Sequence, residues 1–67
     1  MFYVSIWREN WEASEERFDS KASALRYCRQ QVAAGYKNEE RGEVQNEAGD
    51  TLARYVNENG KAIQVNV

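Results

Sequence analysis

Cys28 is the only cysteine in this 67-residue chain, with Arg26 and Arg29 close by in sequence and Lys21 two helical turns earlier. Cations at that spacing could lower a thiol pKa and favour the thiolate, the form that attacks electrophiles and binds metals. The chain has no histidine, so it lacks both the usual base for activating such a nucleophile and the commonest metal ligand. A single thiol also excludes a dithiol redox or metal site. Cys28 is therefore expected to act as a small buried hydrophobe, and no metal or cofactor is expected.

Eleven carboxylates could in principle supply an acid–base pair of the kind that cleaves glycosidic bonds. Such a pair needs a cleft that desolvates one member and shifts its pKa, and a chain this short offers little room for one. The acids, Glu39, Glu40 and Glu43 among them, are expected to be solvated surface charge. Gly35, Gly42, Gly49 and Gly60 do not form a phosphate-cradling pattern, so turns and caps are their expected work. The chain reads as a binding protein with no enzymatic activity.

Two sets of residues could carry binding. Tyr3 and Trp7 alternate with Phe2, Val4 and Ile6, so they project from the side of a strand opposite its apolar triad. Tyr55 stands in the same relation to Leu52 and Val56, and Trp11 joins the set if its segment is a strand. Rings on an uncovered sheet face can stack bases or anchor a protein. The second set is basic: Lys21, Arg26, Arg29 and Lys37 lie in a stretch without a single acid, while acids outnumber bases on either side. Such a helix could contact phosphates. The net charge of -2 and the acids flanking the rings favour a protein partner over nucleic acid.

The elements that must position these residues follow from periodicity. Phe2 to Arg8 has the two-residue alternation of a half-buried strand. Trp11 to Phe18 is either an edge strand or a loop. Asp19 or Ser20 can cap a helix running to about Ala34, which Gly35 would stop. Its apolar stripe is expected on Leu25 and Val32, flanked by Ala22 and Cys28, with Ser23, Tyr27, Gln30 and Ala34 facing water. Further strands are expected near Glu43 to Asn46, Thr51 to Val56 and Lys61 to Val67. Asn59-Gly60 suits a type I′ turn, which pairs Val56 with Ile63 and Arg54 with Val65. Leu52, Val56, Ile63, Val65 and Val67 would then share the core-facing side.

Together these elements give one α+β domain over residues 1–67: a small two-layer fold with an antiparallel sheet of three to five strands and one helix, about residues 20–34, on one face. The chain is 42% hydrophobic and 30% charged, which suits a folded domain. No apolar run is long enough for a signal peptide or a membrane span, and a lone cysteine fits a reducing, cytoplasmic setting. The leading functional expectation is a small acidic protein-binding module, of the accessory or inhibitory kind that phages and mobile elements carry. A nucleic-acid-binding module using the basic helix is the alternative. A homodimer or self-assembling subunit is a further expectation, because a domain this small buries only about 60% of its unfolded surface.

Overall fold

The computed structural model describes residues 1–8, 11–35 and 40–66, and of residues 11–13 the backbone only. Five strands, β1 (Phe2–Arg8), β2 (Trp11–Phe18), β3 (Arg41–Asn46), β4 (Thr51–Glu58) and β5 (Lys61–Val65), and one helix, α1 (Lys21–Ala33), follow one another as β1-β2-α1-β3-β4-β5. All neighbouring strands are antiparallel, in the order β2-β1-β3-β4-β5. The helix packs on one face, which is the α+β arrangement expected, and Trp11 to Phe18 is a strand.

The capping chemistry at the start of α1 is as the sequence suggests. Ser20 has extended backbone and its Oγ accepts from the Ser23 N–H at 3.1 Å, satisfying one of the first turn's open donors. At the other end the Ala34 N–H reaches the Gln30 carbonyl at 3.0 Å and the Gly35 N–H reaches Val32 at 3.2 Å. Gly35 does not act through a left-handed conformation. The space a side chain would fill there is taken by the Glu40 carboxylate.

The buried stripe of α1 is Ala24, Cys28 and Val32, a strict four-residue spacing, so the expectation centred on Leu25 and Ala22 needs correcting. Ala22 is exposed and Leu25 only half-buried. Tyr27, expected in water, packs its ring against Phe18 at 5.0 Å between centroids. The stripe consists of small residues because the helix lies close to the sheet. Gly42, the second residue of β3, sits beneath it, and a Cβ there would come within 2.6 Å of Cys28 Sγ, 2.8 Å of Ile6 Cδ1 and 2.9 Å of Val32 Cγ2. Gly42 is thus a packing residue, whereas Gly49 and Gly60, with φ of 88° and 82°, are the turn glycines the sequence suggests.

Asn59 (φ 55°) and Gly60 form the two-residue turn between β4 and β5, and the register is as expected, with Val56 opposite Ile63 and Arg54 opposite Val65. The hairpin nevertheless presents its other side to the helix. Ala53, Tyr55 and Asn57 are buried, while Leu52, Arg54, Val56, Ile63 and Val65 turn away. Because side chains alternate, one choice of face moves every residue in the hairpin. Close helix packing demands small atoms opposite Ala24 and Cys28, and β4 offers Ala53 on that side. A register shift between Val44 and Gln45 then carries β4 past Leu52 without bringing it under α1.

Charge and polarity tie the end of α1 to the sheet. Arg8, at the end of β1, donates through Nη1 to Glu40 Oε2 at 2.8 Å and through Nη2 to Gln31 Oε1 at 3.1 Å. Glu40 is only 8% exposed, contrary to the expectation of solvated charge. Asn57 Nδ2 donates to the Val32 carbonyl at 2.7 Å and to that of Gly35 at 3.3 Å, and its backbone N–H donates to the Glu40 carbonyl at 2.9 Å. A buried asparagine thus ties carbonyls at the C-terminal end of α1, where intrahelical donors run out, to β4.

Candidate functional site

The face of the sheet opposite α1 has no described element packed upon it. Registers place its residues in rows across the strands. One row runs Trp7, Arg41, Val56, Ile63; the next runs Glu15, Ser5, Glu43, Arg54, Val65; a third begins Arg17, Tyr3, Gln45. Directly opposed side chains interact on such a surface. The Arg41 guanidinium lies 5.3 Å from the Trp7 ring centroid, a cation–π contact. Arg54 Nε donates to Glu43 Oε2 at 2.9 Å, an ion pair that neutralises the centre of the face.

Apolar and aromatic side chains share this face with Glu15, Arg17, Arg41 and Gln45. Tyr3, Trp7, Leu52, Val56 and Val65 are half-buried and Ile63 is 40% exposed. The largest aliphatic side chains of the β4–β5 hairpin therefore lie on the uncovered side, while Ala53 and Asn57 occupy the covered one. No family model, curated protein or solved structure matches this chain. Its function has to be argued from this geometry.

Of the four rings singled out from sequence, Tyr3 and Trp7 share the open face and Tyr55 does not. Tyr55 is 4% exposed and packed in the core beneath α1, a correction that follows from the inverted face of β4. The Trp11 backbone belongs to β2 opposite Arg8, and its side chain lies outside the described residues. Leu52, Val56, Ile63, Val65 and Arg41 are members of the face that sequence reasoning missed. A signal existed in the small residues Ala24, Cys28 and Gly42, which call for Ala53 on the helix side.

The basic set divides in a similar way. Lys21, Arg26 and Arg29 are exposed on α1, and among the described residues none forms an ion pair. Lys37 lies outside the described residues. The rings and the exposed cations of α1 are on opposite sides of the molecule, so they cannot grip one strand of nucleic acid together.

Chemistry elsewhere is limited. Cys28 is fully buried, and burial pushes its thiol from an ordinary 9.0 up to about 11, with the charge of Glu43 adding to the shift and Arg29 opposing it. A thiol raised in this way stays protonated at neutral pH. The Cys28 thiol ionises near 9 in the unfolded chain and only near 11 in the folded one, so its contribution to stability is level below about pH 9 and falls as pH rises through the interval. Two measurements check this. Iodoacetamide should label the native chain more slowly than the urea-unfolded chain, and the decline in urea midpoint above about pH 9 should be smaller in Cys28→Ala. Labelling as fast as in urea would contradict the buried-thiol account.

Among the described residues no three His, Cys, Asp or Glu side chains are placed to hold a metal ion, and no helix is long and apolar enough to cross a membrane. A surface depression of about 430 Å³ lies at the start of α1, lined by Met1, Arg17, Phe18, Asp19, Ser20 and Ser23. Its two serines bond to each other at 2.9 Å. It holds no buried acid or base.

Proposed function

We propose that this chain is a non-enzymatic protein-binding module that docks the sheet face opposite α1 onto an apolar patch of a protein partner. The observation that carries the reading is the orientation of the β4–β5 hairpin: Leu52, Val56, Ile63 and Val65 face outward on the same side of the sheet as Trp7 and Tyr3. A group of large apolar side chains left uncovered on a small protein marks an interaction site. Trp7 is the natural anchor, since tryptophan and arginine are enriched among residues that dominate binding energy. Arg41 stacked on Trp7 holds the indole in place, and the Arg54–Glu43 pair gives the middle of the face a polar contact whose charges already cancel. An accessory or inhibitory role would consist of covering the partner's working surface with this face.

The test is affinity capture from nuclease-treated lysate at high salt. Trp7→Ala is expected to weaken capture by more than about 30-fold with a small change in melting temperature, while Arg26→Glu/Arg29→Glu leaves it unchanged. Undiminished capture by Trp7→Ala would overturn the reading. The nucleic-acid alternative has one observation in its favour, the exposure of Lys21, Arg26 and Arg29, none of which forms an ion pair among the described residues. It predicts capture that is lost with nuclease and declines steeply with salt. Among the described residues no exposed ring lies on that side, which counts against it, since Tyr27 is packed on Phe18.

A further inference from the structure

The two edges of the sheet are built differently. β2, at one edge, reads WEASEERF, and its run of charges is the usual device that blocks strand pairing between molecules. β5, at the other, reads KAIQV and carries one charge, at its first residue. We infer that β5 is a self-pairing edge: two copies of the chain associate by antiparallel β5–β5 pairing centred on Ile63, joining their sheets into one. This goes beyond the proposed docking face, since it uses the backbone of the edge, shares only Ile63 and Val65 with that face and leaves Trp7 and Tyr3 free.

The register follows from the hairpin. A two-residue turn makes its flanking pair, Glu58 and Lys61, a hydrogen-bonded pair, and bonded and non-bonded pairs then alternate. Lys61, Ile63 and Val65 therefore direct their N–H and C=O groups at β4. Those of Ala62 and Gln64 point outward, and among the described residues nothing pairs with them, because β5 ends the sheet. A twofold axis through Ile63 sets Ala62 opposite Gln64 of the second copy. Each such pair exchanges both of its N–H···O bonds, so the outward groups of both residues are satisfied.

The side chains fit the same axis. Ile63 meets Ile63 of the second copy in a non-bonded pair, the kind in which Cα atoms approach to about 4.5 Å and side chains touch. Ile63 is also the most exposed large hydrophobic residue of the strands among the described side chains. Lys61 falls opposite Val65 of the second copy, so the two lysines do not oppose each other. Both copies keep their helices on one side, and on the other the Val56–Ile63 row runs unbroken across the axis.

The experiment is amide hydrogen exchange on the unmodified chain at low and high concentration, with sedimentation equilibrium on the same samples. The expected result is a species of twice the 7.8 kDa chain mass at high concentration, with exchange at Ala62 and Gln64 slowed by about tenfold or more relative to dilute solution. Ile63→Lys, which opposes two like charges across the axis, should be monomeric. Trp7→Ala should dimerise normally. A chain that stays monomeric when concentrated would overturn the inference. So would a dimer in which the Ala62 and Gln64 amides exchange as freely as in dilute solution, and an edge that pairs only with a different protein would give the monomeric result.

Discussion

Gly42→Ala is expected to destabilise the protein by about 2–3 kcal/mol, the range of an overpacked core. In an ordinary strand the same change is mildly favourable, by about 0.4–1 kcal/mol, because it restricts the unfolded chain. Here the added methyl would lie 2.6–2.9 Å from Cys28 Sγ, Ile6 Cδ1 and Val32 Cγ2 at once. These belong to buried side chains on α1 and β1, so relief requires the helix to lift from the sheet. A chain of this length has only about 3–10 kcal/mol of total stability, which makes the loss a large fraction of the whole. Gly42→Val should prevent folding at room temperature. Urea titration followed by tryptophan fluorescence would measure it, and an unchanged midpoint for Gly42→Ala would mean that α1 does not lie where it is described.

Removing one partner of the Arg8–Glu40 pair should be the second large effect. Glu40→Ala is expected to cost about 2 kcal/mol, below the roughly 3–5 kcal/mol of a wholly buried pair, because the Arg8 side chain retains 33% of its exposure and water can reach it. The Arg8 guanidinium would keep only Gln31. Replacing both partners with apolar residues, Arg8→Met/Glu40→Leu, should restore most of the loss, since neither charge is then left without its counterpart. Gly35→Ala should mimic Glu40→Ala by evicting the carboxylate from the space it occupies beside the helix end. A double-variant cycle in urea decides the matter. If the costs of Arg8→Met and Glu40→Leu simply add, the pair does not tie the end of α1 to the sheet.

What the sequence disclosed, and what it withheld, follows from the range of each interaction. Short-range chemistry was legible: Ser20 as the cap, Asn59-Gly60 as a type I′ turn, and the pairing of Val56 with Ile63 that this turn enforces. The alternation of β1 was legible too, because Val4 and Ile6 are aliphatic and Tyr3 and Trp7 are amphipathic. The facing of β4 was not, because a strand with Leu52 and Val56 on one side and Ala53, Tyr55 and Asn57 on the other satisfies a simple hydrophobicity rule only in the wrong orientation. Its true orientation depends on two long-range facts, the tight approach of α1 over Gly42 and the hydrogen bonds that Asn57 donates to the Val32 and Gly35 carbonyls at the end of the helix. Glu40 was misread for a similar reason. Its counter-ion is 32 residues away in sequence, and nothing local distinguishes it from its acidic neighbours.

The candidate site inherits that error and gains from its correction. Sequence reasoning found Trp7 and Tyr3 and added Tyr55, which lies in the core. It assigned to the core the aliphatic residues that instead share the open face with Trp7. A hairpin that leaves Leu52, Val56, Ile63 and Val65 in the open forgoes their burial within its own fold, and hydrophobic surface left out in this way is available to a partner. The cost falls on a chain with little stability to spare, which is why the open face, and not the charged outer side of α1, is assigned the binding role.

The most direct test of that assignment is a contact map of the bound state. The chain, isotopically labelled and mixed with the partner it captures, would be examined by cross-saturation NMR, which identifies the residues a partner touches. The account predicts a footprint on Tyr3, Trp7, Arg41, Val56 and Ile63, with Lys21, Arg26 and Arg29 unaffected. A footprint on those three α1 residues that spares Trp7 would contradict it.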